Sequence, residues 1–339
     1  MRRASAEGET ASGEYERTGA SFLSGTSHLV TTRNCPSRNS PAYWQLRFSP
    51  LFSMTRCGIV ALAGLPNAGK STLLNALVGE PLAAVSPKPQ TTRLPVRGLV
   101  TDATTQIVLV DPAGLMQPAY PLQRAMRHSA LAEIRGADLV VRVHPLPEAP
   151  APDLRALLSG AEAIPPVLTV YTKKDLARGD RPVPEGALAV SAKTGAGLEE
   201  LLAAIRARLP ECPFLYDPAD VGTQPLRFFA AEYVREAAFE LLEQELPYSV
   251  AVELDAFREA EEPVYIRATV AVERDSQKAI VLGRGGRTIK AIGIAARRRI
   301  EALLGRKVRL ELWVTVWPRW RRDTARLARL GLSLPRQEP

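Results

Sequence analysis

The sequence predicts an α/β protein in two parts: a domain with a mainly parallel sheet and helices on both faces, then a smaller α+β domain. In the first part, short apolar runs alternate with helical patterns and end in polar loops, which is typical of parallel sheets. The composition changes at 210–213, and a linker with proline and glycine follows at 216–222. The remainder has the order helix, two strands, short helix, longer helix and strand.

We place the domain boundaries at these signals. The first domain is 56–210, the linker 211–224, the second domain 225–330 and the tail 331–339. Residues 1–55 are an extension that is poor in apolar periodicity and rich in Ser, Thr, Gly and Arg, so we expect it not to pack. We favour Met54 as the true start of the translated protein. A transit peptide is the alternative, although this stretch has more acidic residues than that class has.

The first strand, predicted at 59–63, leads directly into the glycine-rich loop GLPNAGKS at 64–71, and a helical pattern follows at 71–78. The loop fits the pattern GxxxxGKS/T, whose backbone N–H groups bind phosphate at the start of a helix. An ordinary glycine turn is the alternative. The strand, the spacing, the lysine and the serine together favour a nucleotide site.

The loop side chains have distinct roles in that interpretation. Gly64 and Gly69 allow the backbone to come close to phosphate, and the Ser71 hydroxyl can hold Mg²⁺. Lys70 places an ammonium on the outer phosphates. We expect Lys70 to be an exposed loop lysine whose removal leaves stability nearly unchanged.

A second apolar run, 106–110, ends in Asp111 and continues as DPAGL. This is a DxxG arrangement, in which Asp111 reaches Mg²⁺ through water and the Gly114 N–H hydrogen-bonds a γ-phosphate. A DxxG alone is more often a simple turn. The phosphate loop upstream is what favours the functional interpretation.

The third run, 166–171, leads into TKKD at 172–175, which resembles the NKxD guanine motif. The Asp175 carboxylate can accept hydrogen bonds from N1–H and the N2 amine of guanine, and adenine offers neither donor. The stem of Lys173 would lie over the base. After a further short strand, residues 191–193 match the SAK motif, in which a backbone N–H binds guanine O6.

The segment 85–93 is polar, carries two prolines and lacks periodicity. These features are compatible with a mobile switch, although composition alone favours an ordinary surface loop. Its motif SPKPQTTR, together with GLPNAGKSTLLNALVG, resembles the Era family of bacterial ribosome-assembly GTPases. Agreement in ELPYSVAVEL, RDSQKAIVLGRGGRTIKAIG and LLGRKVRLELWVTV extends the resemblance over about residues 56–330.

The resemblance implies further roles. Thr92 would supply a Mg²⁺-contacting hydroxyl, and Asn67 matches an asparagine that helps hold K⁺ near the β- and γ-phosphates in related GTPases. Two motifs depart from the family pattern: DTPG is DPAG here, and NKxD is TKKD. Thr172 keeps a hydroxyl but lacks the amide that ties the base loop to the phosphate loop. Leu115 stands where many GTPases place a water-orienting glutamine, a hydrophobic substitution that the family shares.

The second part resembles a prokaryotic-type, or type II, KH domain. Its predicted elements are a helix at 228–246, strands at 249–254 and 264–273, a short helix, the GRGG turn at 283–286, a longer helix and a strand at 308–316. In a KH domain the GxxG turn joins two helices, and its backbone N–H groups bind phosphates of single-stranded RNA. A lone GRGG could also be a helix C-cap.

The charge distribution supports an RNA surface in this part. Residues 283–329 contain 14 Lys or Arg against three acidic residues, whereas the whole chain has a net charge of +8. The basic excess therefore belongs to one domain. The stretches 297–299 and 319–322 place cations and an aromatic side chain together, which suits phosphate tracking with base stacking. A solvated helix face is the alternative for any single arginine.

The composition excludes several other classes. The 339-residue chain is 46% hydrophobic and 24% charged, which is ordinary for a soluble globular protein, and no apolar run approaches a membrane span. Its three cysteines have neither metal nor disulfide spacing, which fits a reducing cytoplasm. The three histidines show no ligand pattern.

The fold class and the resemblance together imply a GTP-hydrolysing switch that binds small-subunit ribosomal RNA near its 3′ end and assists assembly of the small ribosomal subunit. The implied cofactors are GTP or GDP, Mg²⁺ and K⁺. We expect a monomer in the cytoplasm, with peripheral association at the inner face of the cell membrane. Two rivals stay open: an RNA-binding assembly protein that uses nucleotide only structurally, and a GTPase that acts on another RNA or at an anionic membrane surface.

The candidate site residues form overlapping sets. For GTP they are Gly64, Leu65, Pro66, Asn67, Ala68, Gly69, Lys70, Ser71, Thr72, Asp111, Pro112, Ala113, Gly114, Leu115, Thr172, Lys173, Lys174, Asp175, Ser191, Ala192 and Lys193. For the metal they are Ser71, Thr92 and Asp111, and for catalysis Lys70, Thr92 and Gly114. For RNA they are Gly283, Arg284, Gly285, Gly286, Arg287 and Lys290.

Overall fold

The computed structural model describes residues 55–158, 164–177 and 182–334. The predicted extension up to Met54 and the end of the tail after 334 lie outside the described residues. The described chain forms two sheets, one of six strands and one of three. Below, residues 55–210 are the N-terminal half and residues 226–334 the C-terminal half.

The sheet of the N-terminal half is mainly parallel, as predicted. Its strands are β1 (Arg56–Ala63), β2 (Val96–Thr101), β3 (Thr105–Asp111), β4 (Leu139–Pro145), β5 (Val167–Thr172) and β6 (Leu188–Ala189). Their order is β2-β3-β1-β4-β5-β6, and every neighbouring pair is parallel except β2 with β3. The inner strands are buried because helices cover both faces.

The helices on these faces are α1 (Lys70–Val78), α2 (Pro121–Gly136), α3 (Leu154–Leu158) and α4 (Leu198–Arg206). Side chains alternate along β1, so successive residues belong to opposite faces. Val60 and Leu62 pack in a cluster with residues of α1 and α4, whereas Ala61 and Ala63 pack with α2 and α3. The fold class predicted from the alternating strand and helix patterns is confirmed.

This topology brings the predicted motifs to one edge of the sheet. The carboxyl ends of the parallel strands β1, β3, β5 and β6 meet there. The phosphate loop, Asp111, Thr172 and Ser191 are therefore spatial neighbours, although 127 positions separate Gly64 from Ser191 in the chain.

The C-terminal half forms the predicted α+β unit. Its elements are α5 (Leu226–Leu241), α6 (Leu246–Ser249), β7 (Ala251–Arg258), β8 (Val264–Val272), α7 (Asp275–Leu282), α8 (Arg287–Leu304), β9 (Val308–Val316) and α9 (Thr324–Arg329). The central strand β8 is antiparallel to β7 and parallel to β9. The bounds of β9 are the predicted ones.

The helix predicted at 228–246 is too long. α5 ends at Leu241, Leu242 has extended backbone angles (φ −95°, ψ 150°), and α6 starts only at Leu246. Leu242 is 2% exposed, so the break turns this side chain into the core. Pro247 also prevents one continuous helix, because a proline ring clashes with the preceding turn.

The two halves share hydrophobic cores. One cluster of buried side chains runs from β1 and α1 through α5 to β8 and α8. A second cluster joins Ala113 of the N-terminal half to Ala251 and Trp320 of the C-terminal half. The linker packs along the first sheet, where Gly222 forms a bridge with Gly98 of β2. Within the described residues, no helix has both the length and the apolarity that crossing a membrane requires.

The buried Trp320 provides a test of this shared core. Its side chain is fully buried, and its indole N–H donates to the Ser249 carbonyl oxygen (2.8 Å). We expect Trp320→Leu to lower the free energy of unfolding by about 3 kcal/mol, because it leaves a cavity and a carbonyl without its donor. Chemical denaturation of the full chain measures the loss. Trp313 is 63% exposed, and Trp313→Leu should change stability by less than about 0.5 kcal/mol. Equal losses in the two variants would contradict this placement.

Candidate functional site

The phosphate loop joins β1 to α1 and lines a cavity of about 340 Å³. Its glycines are set by the backbone. A Cβ on Gly64 would lie 2.3 Å from the Val143 carbonyl oxygen, so only glycine fits there. Gly69 has φ +91°, a left-handed conformation, and delivers the chain to the first residue of α1. The helix N-terminus, with N–H groups that have no intrahelical partner, therefore begins at the loop.

The cavity walls come from the phosphate loop, the segment after α1 and the turns after β3 and β5. The lining residues are Pro66, Asn67, Gly69, Lys70, Ser71, Thr72, Ala84, Val85, Ser86, Pro87, Gln90, Thr91, Thr92, Gly114 and Lys173. The residues at 84–87 and 90–91 are absent from the predicted site. Their signal in the sequence is the polar, proline-bearing character of 85–93, which predicts a switch but no individual contact.

Lys70 is not the exposed loop lysine that the sequence predicts. It is 6% exposed, and its Nζ donates to the carbonyl oxygens of Gly64 (3.4 Å) and Leu65 (3.1 Å). Burial lowers the pKa of Lys70, and the charge of Asp111 opposes that shift. Lys70 therefore stabilises the loop, and we expect its removal to lower stability, contrary to the prediction from sequence.

Ser71, Thr92 and Asp111 converge beside the cavity. The Ser71 hydroxyl donates to Asp111 Oδ2 (2.5 Å), and the Thr92 hydroxyl lies 3.3 Å from that oxygen and 3.0 Å from Ser71 Oγ. Asp111 is fully buried, and its Oδ1 has no hydrogen-bond partner among the described residues. Burial raises the pKa of the Asp111 carboxyl, whereas Lys70 and the two hydroxyls lower it. Two hydroxyls and a carboxylate with an unpaired oxygen are hard donors, and they fit a small divalent cation such as Mg²⁺.

The DxxG turn packs against the phosphate loop. The Leu115 N–H donates to the first carbonyl oxygen of the loop (2.9 Å), and a Cβ on Gly114 would lie 2.6 Å from the Pro66 nitrogen. Leu115 is 1% exposed, and Pro112 and Ala113 are also buried. The structure thus places Gly114 at the cavity, whereas these three neighbours pack in the interior and do not line it.

The TKKD and SAK segments lie together at the ends of β5 and β6. The Thr172 hydroxyl donates to the Ala68 carbonyl oxygen of the phosphate loop (2.6 Å). A hydroxyl therefore makes the tie between the two loops that the resemblance assigns to an amide. The Ser191 hydroxyl donates to Asp175 Oδ1 (2.6 Å), and the Asp175 side chain is otherwise exposed. This bond orients the carboxylate predicted to choose the base.

The remaining residues of this loop pair differ in exposure. Lys173 has a left-handed backbone (φ 57°) and lines the cavity, and its place over the base stays a prediction. Lys174 and Lys193 are exposed, and Ala192 is half-buried. The Lys174 N–H donates to the Val190 carbonyl oxygen (3.1 Å), which holds the two segments side by side.

The segment 85–93 forms hydrogen bonds within itself, with the phosphate loop and with the C-terminal half. The Asn67 amide donates to the Pro87 carbonyl oxygen (3.0 Å), and the Thr91 hydroxyl donates to the Lys88 carbonyl oxygen (2.8 Å). Across the interface, the Val85 N–H donates to a Glu236 carboxylate oxygen (3.2 Å) of α5. The predicted switch therefore contacts the phosphate loop and the C-terminal half at once.

The GRGG turn joins α7 to α8, as predicted for a KH domain. Gly283 has φ +71°, and a Cβ there would lie 2.3 Å from the Thr288 hydroxyl oxygen, which requires glycine. The predicted RNA contacts Arg284, Gly285, Arg287 and Lys290 are exposed. The turn presents bare backbone and the N-terminus of an 18-residue helix to solvent, a geometry suited to phosphate.

Part of the predicted RNA surface has a structural role instead. Trp320 is fully buried, so the base-stacking role predicted for the aromatic residue in 319–322 is wrong. Arg321 pairs with Glu273 (2.5 Å). On α8, Arg299 forms an ion pair with Glu240 of α5 (2.6 Å). Counting basic residues therefore overestimates the charge that RNA can meet.

Comparison with known proteins covers both halves. Residues 59–173 match the family model described as 50S ribosome-binding GTPase, and residues 245–321 match the KH domain model. A protein named GTPase Era, from Afipia carboxidovorans, is 40% identical over 296 residues, which are 84% of this chain and 96% of that protein. GTPase Era from Desulfovibrio desulfuricans is 42% identical over 302 residues, with 82% and 97% covered.

Two solved structures are similar over the same part of the chain. A variant of Aquifex aeolicus Era bound to GDP and aluminium fluoride has a TM-score of 0.77 and 32% identity, covering 83% of this chain and 100% of that one. Era in complex with MgGDPNP and nucleotides 1506–1542 of 16S ribosomal RNA has a TM-score of 0.77 and 33% identity, with the same coverage.

The tie made by Thr172 can be tested by binding. We expect Thr172→Val to weaken GDP binding about tenfold, because it removes the tie between the loops and leaves the buried Ala68 carbonyl without its donor. Titration with a fluorescent GDP measures the affinity. Thr172→Ser keeps the hydroxyl and should stay within about twofold of the unchanged protein. Wild-type affinity in the valine variant would remove this tie from the account of the site.

Proposed function

We propose that this chain couples GTP hydrolysis to assembly of the small ribosomal subunit by binding ribosomal RNA near its 3′ end. The premise is that the chain belongs to the Era family of GTPases. The chain is a GTPase that binds GTP and GDP, and it has a KH domain. The RNA partner is supported by the related Era whose solved complex contains nucleotides 1506–1542 of 16S ribosomal RNA.

The observation that carries the proposal is the joining of three motifs around one cavity. The DxxG turn bonds to the phosphate loop through the Leu115 N–H, and the base loop bonds to it through Thr172. A lysine and two hydroxyls line that cavity, and a buried carboxylate lies beside the hydroxyls. Convergent polar groups of this kind are typical of a binding site and unusual for a set of structural turns.

Each residue at the phosphate end has a role in this proposal. The loop and α1 N–H groups bind the phosphates, and Lys70 exchanges its loop carbonyls for outer phosphate oxygens. Ser71, Thr92 and Asp111 would hold Mg²⁺, which neutralises phosphate charge when it is bound. The Gly114 N–H reports whether a γ-phosphate is present.

Hydrolysis is attack of water on the γ-phosphorus, which breaks its bond to the β–γ bridging oxygen and releases phosphate and GDP. The Leu115 side chain is buried and does not line the cavity, so it does not orient the attacking water. We assign part of the charge stabilisation to K⁺ held near the β- and γ-phosphates with the help of Asn67. The direct experiment is single-turnover hydrolysis in K⁺ and in Na⁺, with and without RNA. We expect faster turnover with K⁺ and with RNA.

The GRGG turn is the proposed clamp for RNA phosphates. Its exposed backbone and the α8 N-terminus supply N–H donors, and Arg284, Arg287 and Lys290 add positive charge. We further propose a monomer in the cytoplasm. Peripheral association with the inner membrane face would use the same basic surface and is tested by flotation with anionic vesicles.

Base choice can be switched at Asp175. Replacing Asp175 with Asn exchanges one acceptor for a donor opposite N1–H and N2 of guanine, so GTP affinity should fall about 100-fold. XTP affinity should rise, because xanthine presents an acceptor where guanine has its amine. Competition between the two nucleotides measures the change. Equal GTP affinity in the variant and the wild type would exclude Asp175 from base recognition.

RNA binding can be tested at the turn. The double variant Arg284→Asp and Gly285→Asp adds negative charge facing phosphate and places a side chain on a backbone with φ +61°, so RNA affinity should fall about 100-fold. Filter binding with a small-subunit 3′-end oligonucleotide measures it. Arg258 of β7 is an exposed arginine in the same half, and Arg258→Asp should leave affinity within about threefold. Comparable losses in both proteins would indicate diffuse electrostatics and contradict a clamp at the turn.

A further inference from the structure

Two basic side chains of the segment 85–93 donate hydrogen bonds to backbone carbonyls of the C-terminal half. The first is Lys88, whose Nζ donates to the carbonyl oxygens of Phe239 (2.5 Å) and Leu242 (2.6 Å), with that of Glu240 at 3.4 Å. The last carbonyls of a helix have no intrahelical donors and carry the negative end of its dipole. Lys88 therefore caps the C-terminus of α5 from the other half of the protein.

The second cation is Arg93, which is 7% exposed. Its guanidinium donates to the carbonyl oxygens of Val250 (2.6 Å), which directly follows α6, and Tyr248 (3.2 Å), which lies within α6. It also lies against the rings of Phe239 (5.8 Å) and Trp320 (5.5 Å). A buried guanidinium is stable only when such partners surround it, so this contact has a definite geometry.

These anchors flank the residue that reaches the metal site. Thr92 precedes Arg93 directly, and its hydroxyl lies 3.0 Å from Ser71 Oγ and 3.3 Å from Asp111 Oδ2. Consecutive Cα atoms are held about 3.8 Å apart, so a shift of the Arg93 backbone is passed on to Thr92. A displacement of about 1 Å away from these oxygens already takes both hydroxyl contacts beyond hydrogen-bond distance.

The strand after the segment is also attached to the linker between the halves. The Leu99 N–H donates to the Val221 carbonyl oxygen (2.9 Å), and the Gln224 amide donates to the Pro95 carbonyl oxygen (3.0 Å). The segment therefore contacts the C-terminal half at Lys88 and at Arg93, and the residues directly after the segment contact the linker. Its position depends on where the C-terminal half sits.

We propose that Lys88 and Arg93 are positioning residues, which hold Thr92 at the Ser71 and Asp111 oxygens by docking on the ends of α5 and α6. The placement of the C-terminal half then sets the affinity of the N-terminal half for triphosphate. This inference rests on the proposed function in one respect, the role of Thr92 toward Mg²⁺ and triphosphate. GDP lacks the γ-phosphate, so its binding should depend little on these anchors.

The test compares two nucleotides in the same variants. Lys88→Met keeps the apolar stem and removes the ammonium. Arg93→Lys keeps a charge but loses the planar guanidinium, which bonds two carbonyls and lies against two rings at the same time. Calorimetric titration measures affinity for GDP and for the nonhydrolysable triphosphate GDPNP, both with Mg²⁺. In each variant GDPNP affinity should fall about tenfold, while GDP affinity stays within about twofold.

Arg97 of β2, four residues after Arg93, offers a matched control. Its guanidinium pairs with Glu133 (2.6 Å) inside the N-terminal half, so Arg97→Met removes a cation without releasing the C-terminal half. Arg97→Met and the conservative Lys88→Arg should both keep the wild-type ratio of GDPNP to GDP affinity. Thermal melting with GDP identifies a misfolded variant, and Lys88→Met, at a half-buried position, keeps the test valid if Arg93→Lys does not fold.

The outcomes separate this inference from the proposed function. An unchanged ratio in Lys88→Met, or equal losses for GDP and GDPNP, would overturn the positioning role. If the wild type bound no small-subunit RNA, the RNA part of the proposed function would fail, and the nucleotide ratio would still decide the positioning role. If the wild type bound GDPNP no better with Mg²⁺ than without it, the metal role of Thr92 would fail first.

Discussion

Buried backbone carbonyls at the ends of α5 and α6 need hydrogen-bond donors. The side chains that supply these donors fix how the two halves of the protein contact each other. Because α5 ends before Leu242, the last carbonyls of this helix have no donor within the helix. Lys88 of the N-terminal half donates to them. Arg93 and Trp320 donate to three successive carbonyls at 248–250. An unmet buried carbonyl costs about 1–3 kcal/mol, so separation of the halves is opposed by several such losses in addition to exposed apolar surface.

The nucleotide site and the RNA domain are therefore parts of one structural unit in this protein. The residues that hold the halves together lie beside Thr92, and Thr92 lies beside the buried Asp111 carboxylate. Arginine suits this role because its planar guanidinium can bond two carbonyls and stack on rings at the same time. Arg321 and Arg299 likewise have partners within the protein, Glu273 and Glu240.

Much of this could be predicted from sequence because the informative signals are local. A strand followed by GxxxxGKS, DxxG or TKKD fixes which chain ends meet at a parallel sheet edge, and these predictions are confirmed at the level of the fold. Burial is not a local property. The sequence therefore predicts an exposed Lys70 and a base-stacking Trp320, although the loop carbonyls enclose the first and the interface encloses the second. The tie made by Thr172 depends on a distance of 2.6 Å across two loops, which spacing alone does not give.

Hydrogen exchange of the unmodified chain tests most directly whether the segment 85–93 links the two halves. Amide exchange would be compared in the nucleotide-free protein, with GDP, and with GDPNP and Mg²⁺, in peptides covering 85–93 and 242–250. We expect protection of both regions to rise together when triphosphate binds, because the carbonyls near 248–250 and the segment 85–93 share the Arg93 contact. Protection of 85–93 by triphosphate with unchanged exchange at 242–250 would contradict it.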